Sequence, residues 1–156
     1  MRMKTLLFVC SGNLHRSVMA AALTHALFRQ LGRQVNIGSA GTLRLNGRPA
    51  PSEVHEVLGE LGLDVSAHRS RPLSRTLIEL ADAVIVMEDR HGDAVLSMVP
   101  AAEDRLFYLG DYLEEPRDVP DPIGQSAAQF RVSRDEILGA LKRLMPELST
   151  RLGPAG

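Results

Sequence analysis

Cys10 is the only cysteine in this 156-residue chain, and it opens the segment Cys10-Ser11-Gly12-Asn13-Leu14-His15-Arg16-Ser17. A lone cysteine is most often an inert, buried small side chain. Here five residues separate it from an arginine, a glycine and an asparagine lie between them, and a serine follows. That combination suits nucleophilic attack on a tetrahedral anion. A loop closing onto a helix N-terminus aims several backbone N–H groups inward, and the helix dipole adds to their field. Gly12 admits close approach of backbone to ligand, and Asn13 tolerates the left-handed turn such a loop needs. Arg16 offers a planar fork of donors matched to two phosphate oxygens, which a lysine does not copy. The same positive surroundings favour the thiolate of Cys10, the form that attacks. Ser17 either caps the helix or donates its hydroxyl to the sulfur. Ser11, Leu14 and His15 complete the loop around the anion.

Such a loop needs a strand before it and a helix after it. Lys4 to Cys10 is a continuous apolar run, the pattern of a strand buried on both faces of a parallel sheet. After the polar turn Ser11 to Arg16, the apolar residues from Ser17 to Leu31 recur at helical spacing, and Gly32 supplies the stop. Gln34 to Gly38 reads as a second strand, followed by a loop through Ser39-Ala40-Gly41-Thr42. A helix runs from about Ser52 and closes at Gly62, and Ser74 caps a short helix through Leu80. Ala83 to Met87 is a third buried strand, Arg90 to Met98 a helix and Leu106 to Leu109 a fourth strand. A loop rich in acids and prolines spans Asp111 to Pro122, and a long helix covers Ala127 to Leu152. This alternation predicts an α/β fold with a parallel sheet and right-handed crossovers. In such sheets ligands sit beyond the carboxyl ends of the strands. The turn that carries Cys10 is therefore where chemistry is expected.

A formal charge of −1 gives no basic field for nucleic acid or an anionic membrane, so neither is expected as a partner. The basic and then apolar stretch at Met1 to Val9 is too short for a secretory signal. A single cysteine forms no disulfide within the chain, which points to a reducing, cytoplasmic setting. No spacing of histidines, cysteines or carboxylates suggests a metal, and no cofactor is expected.

Cleaving a phosphate ester is slow unless something protonates the leaving oxygen. Asp118 and Asp121 are the carboxyls placed for this in the acidic loop, and either serves equally well as a solubilising residue. Pro122 restricts Asp121 to extended backbone and stiffens the loop that presents it.

The loop sequence resembles the signature of the low-molecular-weight protein tyrosine phosphatases. The resemblance extends through Leu6-Leu7-Phe8-Val9, Ser39-Ala40-Gly41-Thr42, His68-Arg69-Ser70-Arg71, Ala81-Asp82, Met87 and Asp121-Pro122. It implies a single domain over residues 1–156, a three-layer sandwich whose four-stranded parallel sheet has the flavodoxin-like order 2-1-3-4. It also implies that Cys10 is the nucleophile, Arg16 the phosphate clamp and Asp121, in preference to Asp118, the general acid. His68 is expected to brace Asn13 of the loop. Phosphorylated proteins are the implied substrates, and inorganic phosphate or another oxyanion the implied occupant of the loop.

The chain departs from the family at His15, where most members have a second cysteine, and at Val18, where they have a proline. His15 is expected either to assist the thiolate or, in the simpler reading, to point away. Relatives that hydrolyse phosphoarginine carry threonine at the position of Leu14, so an apolar Leu14 favours phosphotyrosine and aryl phosphates, with phosphoarginine as the alternative. Arsenate reduction on the same fold is a further alternative, although its thioredoxin-coupled form needs more cysteines than this chain has. A silent phosphate-binding module is the alternative of a different class, and the joint presence of Cys10, Arg16 and Asp121 argues against it.

Without a second thiol to trap oxidised Cys10 as a disulfide, peroxide is expected to drive the sulfur to sulfinic and sulfonic acid. Activity after peroxide treatment should therefore not return on adding dithiothreitol; full recovery would contradict this.

Overall fold

The computed structural model describes residues 2–154, so Met1, Ala155 and Gly156, the ends of the domain expected over 1–156, lie outside the described residues. Four strands, β1 (Thr5–Cys10), β2 (Asn36–Gly41), β3 (Ala83–Val86) and β4 (Leu106–Tyr108), form one parallel sheet in the order β2-β1-β3-β4. The expected strand order is thus the observed one. Five helices cover it: α1 (Arg16–Gln30), α2 (Ser52–Gly59), α3 (Arg75–Leu80), α4 (Asp89–Met98) and α5 (Ala127–Leu152).

The apolar run of β1 divides between the two faces by the two-residue period of a strand. Leu6, Phe8 and Cys10 join the core under α1, α2 and α5, together with Ile85, Phe28, Ile137, Leu141 and Leu144. Leu7 and Val9 face the other way, onto Ile78 of α3, Val95 of α4 and their neighbours. Both faces are covered, which is why β1 and β3 read as unbroken hydrophobic sequence. No helix among the described residues is long and apolar enough to cross a membrane.

Several boundaries differ from the sequence expectation. β2 runs on through Ser39, Ala40 and Gly41, because β1 pairs with it as far as Cys10 opposite Gly41. Pairing with a buried central strand overrides the weak strand propensity of serine and glycine. Helix α1 begins one residue earlier than expected, at Arg16, and α4 begins at Asp89 with Glu88 as its cap. Two short 3-10 turns, Pro100–Arg105 and Leu109–Tyr112, flank β4 and carry no periodic signal of their own. The long C-terminal helix has the expected bounds.

Ile137 of α5 is wholly buried in the larger core. Truncation to alanine there costs about 2–5 kcal/mol by the usual cavity penalty. Urea unfolding of Ile137→Ala should show this loss, while specific activity per folded molecule, read below the transition, stays near wild type.

Candidate active site

The sheet delivers Cys10 at the carboxyl end of β1, and the chain turns there through Ser11 to His15 into α1. Asn13 has φ +56°, the left-handed conformation at a residue that carries a Cβ. Among the described residues, none of the backbone N–H groups from Ser11 to His15 donates to a protein acceptor. Successive unpaired N–H groups around a left-handed residue are the elements of an anion-binding nest. The first turn of α1 points the same way and adds its dipole.

Asn13 is held at every polar atom it can spare. Its Nδ2 donates to Ser17 Oγ at 2.9 Å and to Ser39 Oγ at 2.8 Å, while its Oδ1 accepts from the Arg71 N–H at 3.0 Å. His68 meets the Asn13 carbonyl oxygen with Nε2 at 2.8 Å. His68 therefore reaches the backbone of Asn13 rather than its side chain. Burial, ahead of the neighbouring arginines, lowers the His68 pKa, so the imidazole is neutral and donates through Nε2.

The end of β2 closes the cradle from behind. The N–H groups of Thr42 and Leu43 donate to the carbonyls of Cys10 and Ser11 at 3.0 and 2.8 Å. A Cβ on Gly41 would lie 2.5 Å from the Ser11 carbonyl oxygen and 3.0 Å from the Asn13 nitrogen, so only glycine lets the strand pass there.

Sulfur and guanidinium both lie inside. Cys10 and Arg16 are buried, and Cys10 Sγ is 2.9 Å from Ser17 Oγ. Because Ser17 Oγ already accepts from Asn13, its own proton is free to point at the sulfur. The serine thus sits on the sulfur, and α1 has no side-chain cap at its N-terminus. Arg16 Nη1 donates to Glu88 Oε2 at 2.5 Å and to the Val119 carbonyl at 2.8 Å. Its Nη2 faces Ser11 Oγ at 3.3 Å and Asp121 Oδ2 at 3.4 Å. Burial opposes ionisation of Glu88, but its bonds from Arg90 and Arg16 win and its pKa is lowered. Arg90 holds the same carboxylate through Nε at 2.9 Å and reaches Ser11 Oγ with Nη2 at 3.0 Å.

Sequence reasoning missed Glu88, Arg90 and His91. His91 Nδ1 accepts the Glu88 N–H at 3.0 Å, which leaves the ring proton on Nε2, 2.9 Å from Ser11 Oγ. Burial and then Arg16 push its pKa down to about 4, so it is neutral at physiological pH. The signal for these residues was slight: a Glu-x-x-His spacing at the start of α4, readable as a helix cap and nothing more.

Asp121 stands opposite Arg16, as described, and its Oδ1 accepts the Ile123 N–H at 3.1 Å. Asp118 accepts the Asp89 N–H at 2.9 Å instead and has no bond to the loop. His15 turns to Asp121, with Nδ1 3.6 Å from Oδ1, a partner that neither expectation for this ring named. Tyr108 packs on Gly92 of α4, and the Tyr112 hydroxyl donates to Glu147 of α5 at 2.7 Å, so neither belongs to this site.

Comparison with known proteins gives one answer in several forms. The family model described as low molecular weight phosphotyrosine protein phosphatase matches residues 5–152. The chain is 36% identical to the protein-arginine-phosphatase of Geobacillus stearothermophilus, over 93% of this chain and 96% of that protein. It is 34% identical to a probable low molecular weight protein-tyrosine-phosphatase of Ralstonia nicotianae, over 93% and 96%. Among solved structures, a low molecular weight protein tyrosine phosphatase from T. tengcongensis superposes with a TM-score of 0.86 at 33% identity, covering 92% of this chain and 99% of that one.

Gly41→Ala should force the end of β2 off the cradle. Inorganic phosphate binding, followed by protection of Cys10 from iodoacetate, is expected to fall at least tenfold while the circular dichroism spectrum is unchanged. Wild-type protection in this variant would contradict the packing argument.

Proposed function

Because the chain belongs to the low molecular weight phosphotyrosine protein phosphatase family, we propose that it cleaves protein phosphotyrosine and other aryl phosphates through a phosphocysteine on Cys10. The observation that carries this reading is the cradle itself: free N–H groups from Ser11 to His15, a sulfur at its base and a buried guanidinium at its rim. The thiolate attacks phosphorus, an S–P bond forms, the ester P–O bond breaks, and the leaving oxygen takes a proton from Asp121. Water then attacks the phosphocysteine, its proton returns to Asp121, the S–P bond breaks and inorganic phosphate leaves. The Ser17 hydroxyl steadies the sulfur as thiolate in both steps. Arg16, gripped through Nη1 by Glu88 and Val119, turns its remaining donors to the equatorial oxygens of the phosphoryl group.

Substrate choice follows from the rim. The side chains of Leu14 and Leu45 come together over Gly12. Leu43, bonded through its N–H to Ser11, and Ile123, bonded through its N–H to Asp121, are each more than half exposed. An apolar edge of this kind accepts a phenyl ring and offers little to a guanidinium. Phosphoarginine is the second reading, favoured by the 36% identity to proteins named protein-arginine-phosphatase. A sulfur nucleophile with no second cysteine to restore it works while reduced, which fits the cytoplasm.

Hydrolysis of 4-nitrophenyl phosphate should disappear in Cys10→Ser and fall by about 10²-fold or more in Asp121→Ala. Phosphotyrosine peptides should turn over faster than phosphoarginine peptides on the wild type. The reverse order would transfer the assignment to phosphoarginine, and turnover by Cys10→Ser would overturn the mechanism.

A further inference from the structure

His15 is the residue of the loop whose side chain the catalytic scheme above leaves unused. Its ring is 13% exposed and lies edge-on to Phe130 of α5, with centroids 5.3 Å apart and planes at 74°. Packing against an immovable core phenyl aims Nδ1 at Asp121 Oδ1, 3.6 Å away. At that distance a protonated imidazole pairs with the carboxylate, and a small inward shift of the loop makes the contact a hydrogen bond.

We propose that His15 is the proton reserve of Asp121: its Nδ1 proton reaches the leaving group through the Asp121 carboxylate. The inference rests on the phosphatase reading and deepens it. Asp121 needs such a reserve because its surroundings hold it as an anion. His15 first, then Arg16 and the Ile123 N–H, outweigh burial and bring its pKa down to about 2. A carboxyl in that state has no proton to give at neutral pH. The other charged groups around it are Arg16 from α1 and Arg90 from α4, and arginine does not release protons. Histidine is the side chain that exchanges protons between about pH 5 and 8.

The proton balance closes. As the P–O bond breaks, His15 Nδ1–H passes its proton to Oδ1 of the Asp121 carboxylate, and the carboxyl so formed delivers it to the leaving oxygen, leaving a neutral imidazole and a carboxylate. When water attacks phosphorus, its proton returns through Asp121 to Nδ1, and the pair is restored. His15 acts through Asp121 throughout and is a positioning residue. Arg16 turns Nη2 from Asp121 to the phosphoryl oxygens when substrate binds, so in the reacting complex His15 is the proton-exchanging partner that remains.

The test compares kcat/KM, which reports steps through phosphocysteine formation, for two leaving groups. Phenyl phosphate needs a proton on departure, whereas a dinitrophenyl phosphate does not. His15→Asn should lower kcat/KM at least tenfold for phenyl phosphate and less than twofold for the dinitrophenyl ester. Its deficit on phenyl phosphate should widen as pH rises through the histidine range. In an Asp121→Asn background the same change should have no further effect, as required of residues that act in series. Equal losses on both esters, an unchanged pH profile, or full additivity with Asp121→Asn would each overturn the proposal. A wild type active on both esters, with Cys10→Ser inactive, keeps the phosphatase reading in place whichever of these is found. A wild type inactive on both esters overturns the proposal together with that reading. Thermal melting of His15→Asn shows whether it is folded, and His15→Gln provides a second, longer amide without a reserve proton.

Discussion

A left-handed turn at Asn13, pinned at its amide, its carbonyl and the chain on either side, is the constraint on which the site depends. Backbone N–H groups converge on one point only if the chain curls more tightly than ordinary helix or strand allows, and that curl requires a residue at positive φ. Asparagine carries the conformation at some cost, and the fold offsets it with bonds to Ser17 and Ser39 and from Arg71 and His68. These partners come from α1, β2 and the segment before α3. The cradle is thus shaped by elements far apart in the chain. Electrostatic stabilisation of this kind is effective because the donors need not reorganise during the reaction.

Arg16 presents the second constraint. A guanidinium sealed in the protein must be compensated, and an unpaired buried charge costs several kcal/mol. Glu88 supplies the charge and Val119 a carbonyl, both on the same nitrogen, so the other face of the fork is left for the ligand. Glu88 also caps the start of α4, and His91, three residues on, accepts its backbone N–H and meets Ser11 Oγ. One short stretch at the end of β3 therefore orients the clamp, caps a helix and fixes the first residue of the cradle. The parallel sheet makes this possible by ending β1, β2 and β3 at one edge, beside the loop that carries Asp121.

The acid side of the site depends on a different kind of balance. Asp121 is surrounded by cations that keep it ionised, which suits a group that must accept a proton from water and hinders one that must first donate. The proton exchange with His15 proposed above meets both demands, and the ring that makes it packs edge-on against Phe130 of the last helix. The loop position that carries His15 instead of a second thiol is thus also the one that faces Asp121.

Much of this was legible in one dimension. The strand-turn-helix around Cys10, the glycine and asparagine of the loop, the arginine fork and the alternation of elements are local patterns, and local patterns suffice to announce an anion-binding α/β turn. Asp121 stood apart from Asp118 only by resemblance, and the fold shows the physical difference: Asp118 holds the start of α4, whereas Asp121 faces Arg16 and His15. Glu88, Arg90 and His91 were out of reach because their meaning arises from contacts more than seventy residues away in the chain. The orientation of His15 was equally hidden, since nothing in its neighbours tells which way the ring turns. By itself the sequence determined where an anion-binding turn with a thiol and a guanidinium would lie, for those properties belong to residue types at short spacing. Tertiary structure alone decided which charges face one another, because that depends on where distant strands end and helices pack.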